Sequence, residues 1–280
     1  MNPIKKVIGF ALKKAPWLGV PFAKNPIFIV GSGRSGTTYL VDLLDKHPDI
    51  TSFPGEANEY WHVGLYPYHE KQPMVPPIWI DPVTFTRRSL SLWPMGWKFT
   101  IKGVFGRHCL FHKSKVFVQK TVMNNFMLPE MLEMFPNAKF IYMVRNGWSV
   151  ALSFQKKEVE KYAHPIYRQY VGADDYKTIR LRHAAYWNDI ILKVEEDKHL
   201  HFSDENFLEI RYEDLVKSPE QTIAQIIKFM RLKMSPHPEF VRAIAEVTDK
   251  NYKARQELDA DEKSELEEAM GSALRLKGYI

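Results

Sequence analysis

The sequence predicts an α/β fold of three layers, with a central parallel sheet flanked by helices. Three observations carry that expectation. Short apolar runs rich in β-branched and aromatic residues recur at Ile27-Phe28-Ile29-Val30, Val116-Phe117-Val118-Gln119, 139–144 and Phe207 to Ile210. Each is too short for a stable helix, and continuous apolar runs mark strands buried on both faces. Stretches of helical periodicity separate these runs, which is the pattern of a parallel sheet covered on both sides. Directly after the first run, Gly31, Gly33 and Gly36 force a tight turn before a helical pattern begins at Thr37, with Leu40, Val41 and Leu44 on one face and Pro48 closing it.

Taken in order, residues 1–25 come first as a basic segment. It carries Lys5, Lys6, Lys13 and Lys14 around an apolar run, Val7 to Leu12, too short for a secretory core or a membrane span. The segment is expected to pack on its own domain or fray, with contact to an anionic membrane surface as the alternative. Residues 26–280 are expected to form a single domain: 280 residues, 45% of them hydrophobic, suffice for one large core. Within it, residues 54–97 hold seven prolines and four tryptophans (Trp61, Trp79, Trp93 and Trp97). Prolines at this density argue against long helices, so the stretch to about residue 111 reads as a lid or acceptor-side loop, with a small satellite core as the plainer alternative. Beyond it, Pro129 opens a helix to about Phe135, and Asn146 is placed to cap another. Long helical spacing covers 177–198. Ser218-Pro219-Glu220-Gln221 reads as a capping box opening a helix to about Arg231, and 236–248 and 261–274 are amphipathic.

Strand, glycine turn and helix together form an anion cradle, since unpaired N–H groups and the positive end of the helix dipole meet at one point. Compared with the triphosphate loop G-x-x-x-x-G-K-[ST], Gly31 and Gly36 keep the spacing and Thr38 fills the hydroxyl position, but Thr37 replaces the lysine. The strand at 139–144 runs into Arg145 rather than an aspartate. The loop therefore suits a phosphate-like group on a P-loop NTPase-like scaffold, without the usual Mg-ATP partners. A formal charge of +6 fits an anionic ligand. Cys109 is the sole cysteine, which excludes an intrachain disulfide and favours a reducing, cytoplasmic setting. No His/Cys cluster has metal-ligand spacing, so no metal is expected.

With GSGRSGTT at 31–38, a helix ending in HPD, Gly55-Glu56, Lys120-Thr121 with Asn124, VRNGWSVALS at 144–153, RYEDL at 211–215 and LKGY ending at Tyr279, the chain resembles the PAPS-dependent sulfotransferases. The likeness is strongest to the tyrosylprotein and bacterial branch that carries RSGTT. It implies transfer of a sulfuryl group from 3′-phosphoadenylyl sulfate (PAPS) to an acceptor hydroxyl, with no metal and no nucleic-acid partner. It further implies that Gly33, Arg34, Ser35, Gly36, Thr37 and Thr38 hold the 5′-phosphosulfate, and that Arg145 and Ser153 hold the 3′-phosphate. Lys157 stands where the tyrosylprotein branch has a further arginine, and Tyr212 matches a tyrosine that contacts the nucleotide. Arg34 and Lys120 would stabilise the departing phosphate oxygen, with Val122 standing where the family usually has proline. Glu56, placed like that branch's catalytic glutamate, would take the acceptor's proton. Glu59 is its neighbour, and His62 and His108 are rivals in the style of the cytosolic enzymes. Two other functions stay open at this stage: a small-molecule or nucleotide kinase, and a non-catalytic PAP-binding protein. The acceptor, whether small molecule, glycan, peptide or lipid, and the oligomeric state are not encoded in these patterns.

Overall fold

The computed structural model describes residues 3–65, 75–112, 114–161, 169–170, 172, 175–249 and 258–280. Helix α1 (Pro3–Lys14) and a 3-10 helix (Pro16–Phe22) precede strand β1 (Ile27–Val30). Helix α2 (Thr37–Leu44), strand β2 (Ile50–Ser52) and the helices α3 (Asn58–Trp61), α4 (Pro82–Ser91) and α5 (Trp97–Phe111) lead to β3 (Val116–Lys120). Then come α6 (Leu128–Met134), β4 (Lys139–Val144), α7 (Gly147–Lys161), α8 (Tyr176–His201) and β5 (Phe207–Arg211). The chain closes with α9 (Tyr212–Lys217), α10 (Pro219–Phe229), α11 (Pro238–Ala245) and α12 (Ala260–Leu276).

The five strands form one parallel sheet in the order β2-β3-β1-β4-β5. Side-chain alternation along the buried strands sorts the core into two layers. Phe28 and Val30, with Phe140, Tyr142 and Val144, point toward Trp61, Phe105 and Trp187 on α3, α5 and α8. Ile27 and Ile29, with Ile141 and Met143, face Leu40 and Leu44 of α2 and Ile223 and Ile227 of α10. This is the three-layer α/β fold expected from the sequence. β1 lies at its centre, so the carboxyl ends of β3, β1 and β4 stand side by side, where such sheets bind ligands.

The four strands read from the sequence are present with bounds that agree to within a residue or two. β2 was not anticipated: it is three residues at the sheet edge, paired only with β3. The Pro/Trp-rich stretch does contain regular helices. Pro82 occupies the first turn of α4, where its missing N–H costs nothing, and Asp81 caps that helix by accepting from Thr84 N at 2.9 Å. Residues 66–74 of the expected loop, with Pro67 and Pro73, lie outside the described residues. Helix α5 holds two interior glycines for a packing reason. A Cβ on Gly103 would overlap the Pro16 carbonyl, and one on Gly106 the Gly19 carbonyl, so the 3-10 helix lies directly on the α5 backbone. The 3-10 helix therefore packs on the domain.

Ser218 precedes α10, with Pro219 in the first turn as expected, but its side chain makes no capping bond. The complete capping box is at α12, where Asp259 accepts from Glu262 N at 2.8 Å and Glu262 accepts from Asp259 N at 3.2 Å.

Candidate active site

The glycine loop is fixed by contacts on each side. Gly31 has φ +137°, and a Cβ there would overlap the Met143 carbonyl of β4. Asn125 brackets the same residue: its Oδ1 accepts from Gly31 N at 3.0 Å and its Nδ2 donates to Gly31 O at 3.2 Å. Gly36, at φ +93°, opens α2 with no side-chain cap, which leaves the first-turn N–H groups to an anion. Its Cβ would stand 2.8 Å from the Tyr212 ring, and a Cβ on Gly33 would stand 2.6 Å from Phe154. Arg34 adopts φ +68°, a left-handed conformation that costs a non-glycine residue about 1 kcal/mol or more. The Ser35 hydroxyl is buried and has no hydrogen-bond partner among the described residues. A strained loop with uncapped amides, a buried free hydroxyl and side chains against two glycines has the form of a phosphate cradle.

Lys120, the last residue of β3, projects beside this cradle. Its Nζ donates to Thr38 Oγ1 at 2.8 Å and to Glu56 Oε1 at 2.8 Å. Lys120 and Glu56, with Gly33, Arg34, Thr37 and Thr38, line a cavity of about 580 Å³. Lys157 and Glu59 also reach it, and Ile78, Trp79, Val122, Met123, Phe154, His183 and Tyr186 add apolar and aromatic side chains to a lining of mixed polarity. Burial, aided by the Asp189 and Glu56 carboxylates, pushes the Tyr186 pKa up, so it remains a neutral phenol.

A second cavity of about 190 Å³ opens on the other side of the loop, lined by Arg34, Gly36, Thr37, Thr38, Tyr39, Arg145, Tyr212 and Thr248. Arg145 is 8% exposed, lies 4.2 Å from the Tyr212 ring centroid and donates from Nη1 to Arg34 O at 2.8 Å. Burial lowers its pKa, while Tyr212, Glu213 and Asp249 act in the opposite direction. Arg34 Nε donates to Ser153 Oγ at 3.0 Å, which ties the loop to α7. Asn146 caps α7 by accepting from Ser149 N at 3.3 Å, as its sequence position predicts. Its own N–H donates to Glu213 at 3.0 Å, and Tyr279 OH donates to the same carboxylate at 3.0 Å. Thus Arg34, Lys120 and Arg145 lie at or just past three strand ends, and of the sequence-predicted site residues Gly33, Arg34, Gly36, Thr37, Thr38, Glu56, Lys120, Arg145, Lys157 and Tyr212 line one or both cavities, whereas Ser35 and Ser153 line neither.

The rival histidines lie elsewhere. His62 is fully buried between Ser89 Oγ at 2.8 Å and Asn124 Oδ1 at 3.0 Å, and burial lowers its pKa to about 4. Asn124 therefore serves this buried pair rather than the cavity. His108 meets Thr51 Oγ1 at 3.2 Å and stacks on His112; burial, then the His112 charge, lowers its pKa to about 4. Neither histidine lines the Glu56 cavity. Of the four tryptophans, Trp79 lines that cavity, Trp61 is core, and Trp93 and Trp97 donate to the Trp61 and Tyr60 carbonyls at 3.0 and 2.8 Å.

Sequence reading missed Asn125, Phe154, His183 and Tyr186. His183 and Tyr186 are three apart on α8 and so share a face, but that spacing is indistinguishable from a core stripe. His183 stacks face to face on Phe154, centroids 4.1 Å apart, which joins α8 to α7 behind the loop. Among the described residues no group of three or more His, Cys, Asp or Glu side chains is placed to hold a metal ion.

The model of a family described as the sulfotransferase family matches residues 26–236. The omega-hydroxy-beta-dihydromenaquinone-9 sulfotransferase Stf3 of Mycobacterium tuberculosis is 25% identical over 258 residues, covering 75% of this chain. The protein-tyrosine sulfotransferase of Drosophila melanogaster is 26% identical over 234 residues, or 77% of this chain. The matches span 63% of the mycobacterial protein and 40% of the fly protein, so both relatives are longer than the region they share with this chain. Among solved structures, sulfotransferase STF1 of M. tuberculosis superposes with a TM-score of 0.58 at 17% identity, covering 94% of this chain and 80% of that one. Mouse sulfotransferase SULT7A1 complexed with PAP gives 0.54 at 17% identity, covering 92% and 88%; at such identities these likenesses show the fold alone. The family match covers well over half of the sequence and both sides of the glycine loop, and the chain belongs to the sulfotransferase family.

Proposed function

We propose that this protein transfers the sulfuryl group of PAPS to an acceptor hydroxyl, giving a sulfate ester and PAP. One observation carries the reading: Lys120 Nζ lies 2.8 Å from a hydroxyl of the phosphate cradle and 2.8 Å from a carboxylate in the adjoining cavity. A cation shared by a phosphate loop and a carboxylate suits a reaction in which a phosphate oxygen leaves while an alcohol loses its proton.

The 5′-phosphosulfate would sit on the amides from Gly33 to Thr38, with the Ser35, Thr37 and Thr38 hydroxyls. Arg145, Ser153 and Tyr212 in and beside the smaller cavity would take the 3′-phosphate side, and Lys157 adds positive charge at the rim of the larger one. The acceptor oxygen attacks sulfur, the bond from sulfur to the bridging phosphate oxygen breaks, and PAP departs with the electron pair. Lys120 and Arg34 stabilise that developing charge; Glu56 receives the acceptor's proton. The two carboxylates near the cavity differ in setting, because Glu59 is exposed while Glu56 is ion-paired to Lys120. The apolar and aromatic part of the lining, with Ile78, Trp79 and Phe154, supports an acceptor whose hydroxyl is carried by an apolar or aromatic body, in line with the menaquinone-derived and tyrosyl acceptors named for two of its relatives.

Nucleotide binding tests this. PAP should raise the melting temperature, and ATP with magnesium should do so weakly. Arg145→Ala should remove the preference for PAP, since a hydrogen bond to a charged group is worth about 1.5–3 kcal/mol. Equal stabilisation by ATP with magnesium would instead point to a kinase.

A further inference from the structure

The first two helices expose apolar side chains while their backbone is held firmly. Val7 and Phe10 of α1 are 69% and 65% exposed, and Trp17 of the 3-10 helix is 58% exposed. Leu18 and Phe22 are also open to solvent. On the inner side, Leu12 is buried and Gly19 lies against Gly103 of α5 with no room for a Cβ. The outward face is thus presented by an anchored element, and single exposed apolar residues need no explanation where a contiguous set does.

The charge of this segment is one-sided. Residues 1–24 carry Lys5, Lys6, Lys13, Lys14 and Lys24 and no aspartate or glutamate. Lys14 Nζ lies 5.9 Å from the Phe10 ring centroid, so cation and apolar ring share the exposed face. No helix of the described residues is long and apolar enough to cross a membrane, which leaves a surface mode of binding for an apolar, basic element.

We propose that this face docks the protein on an anionic lipid bilayer. Phe10, Trp17 and Phe22 enter the headgroup–acyl boundary, as the apolar face of an interfacial helix does, and Lys13 and Lys14 pair with the negative surface. Charge favours lipid over a second copy of the chain, because a two-fold contact would set the same lysines against one another.

The test uses the full chain and sedimentation with phosphatidylcholine vesicles containing roughly a third phosphatidylserine. Wild-type protein should co-sediment, and salt at about 0.5 M should release much of it by screening. Each lysine near the surface is worth about fivefold, so Lys13→Glu with Lys14→Glu should lower the partition coefficient more than about tenfold. Phe10→Ser with Trp17→Ser should abolish binding while leaving the PAP-induced melting shift unchanged, which separates docking from folding and from nucleotide binding. Absence of sedimentation, or sedimentation equal in wild type and both double variants, overturns the proposal. So does a wild-type dimer that Phe10→Ser with Trp17→Ser converts to monomer without any vesicle binding.

Discussion

Lys120 donates to Thr38 and to Glu56 at once, so single substitutions at the pair separate binding from chemistry. Lys120→Ala should lower kcat strongly and change PAP affinity little, because the leaving oxygen gains its charge only in the transition state. Glu56→Gln keeps the shape but removes the basicity; it should leave PAP binding intact and cost roughly 10²–10⁴ in turnover. His62 makes a different forecast, for stability rather than rate. Its folded pKa is lowered to about 4 against about 6.5 in the unfolded chain, so between those values the unfolded state holds a proton that the folded state lacks. Stability should therefore be full above about pH 6.5 and fall as pH drops toward 4, by at most about 2 kcal/mol between pH 6.5 and 5 from this group. Urea midpoints at the two pH values check this, and His62→Gln should flatten the dependence. Lys120 could be placed because it ends a strand, and Glu56 was singled out only by its resemblance to the catalytic glutamate of the tyrosylprotein branch. The burial of His62 was not, since its partners Ser89 and Asn124 are 27 and 62 residues away.

Among the elements, the strand–loop–helix at 27–44 could be read from the chain because the signals that announce it are local, even though Asn125, Met143, Phe154 and Tyr212 hold its loop in place. The glycines, the β-branched strand and the helical stripe lie within one short stretch. Helix α5 shows the opposite case. Gly103 and Gly106 lower its helix propensity and interrupt its pattern, and the reason for them, close approach of the 3-10 helix at Pro16 and Gly19, lies nearly ninety residues upstream. The apparent capping box at Ser218 failed for a related reason: sequence spacing permits the bond, but the geometry around Ser218 does not form it. The turn between β4 and α7 depends on the far C-terminus. Tyr279 OH and the N–H of Asn146, the residue after Arg145, both donate to Glu213. Tyr279→Phe removes one bond to that carboxylate, worth about 1.5–3 kcal/mol for a charged acceptor and only partly felt at Arg145. We expect PAP affinity to fall about two- to tenfold while AMP affinity is unchanged, measured by titration calorimetry; equal losses for both would make Tyr279 a general structural residue.

For the whole molecule, the parallel sheet brings three cations from β1, β3 and β4 to one edge, and the glycine loop divides that edge into two cavities. That the sheet is parallel followed from the alternation of apolar runs and helices, whereas the order of its strands and the apolar part of the cavity lining, from α7, α8 and residues near 78, rest on contacts that no local pattern connects. The central claim is that the loop and Lys120 serve sulfuryl transfer rather than phosphoryl transfer. Incubating the protein with a panel of phenolic, lipid, sugar and tyrosyl acceptors, in parallel with ³⁵S-labelled PAPS and γ-³²P-labelled ATP with magnesium, tests it directly. The account predicts ³⁵S on at least one hydroxyl acceptor, PAP formed in equal amount, loss of that product in Glu56→Gln, and no ³²P transfer. Transfer of ³²P without ³⁵S, or ³⁵S transfer undiminished in Glu56→Gln and Lys120→Ala, would contradict it.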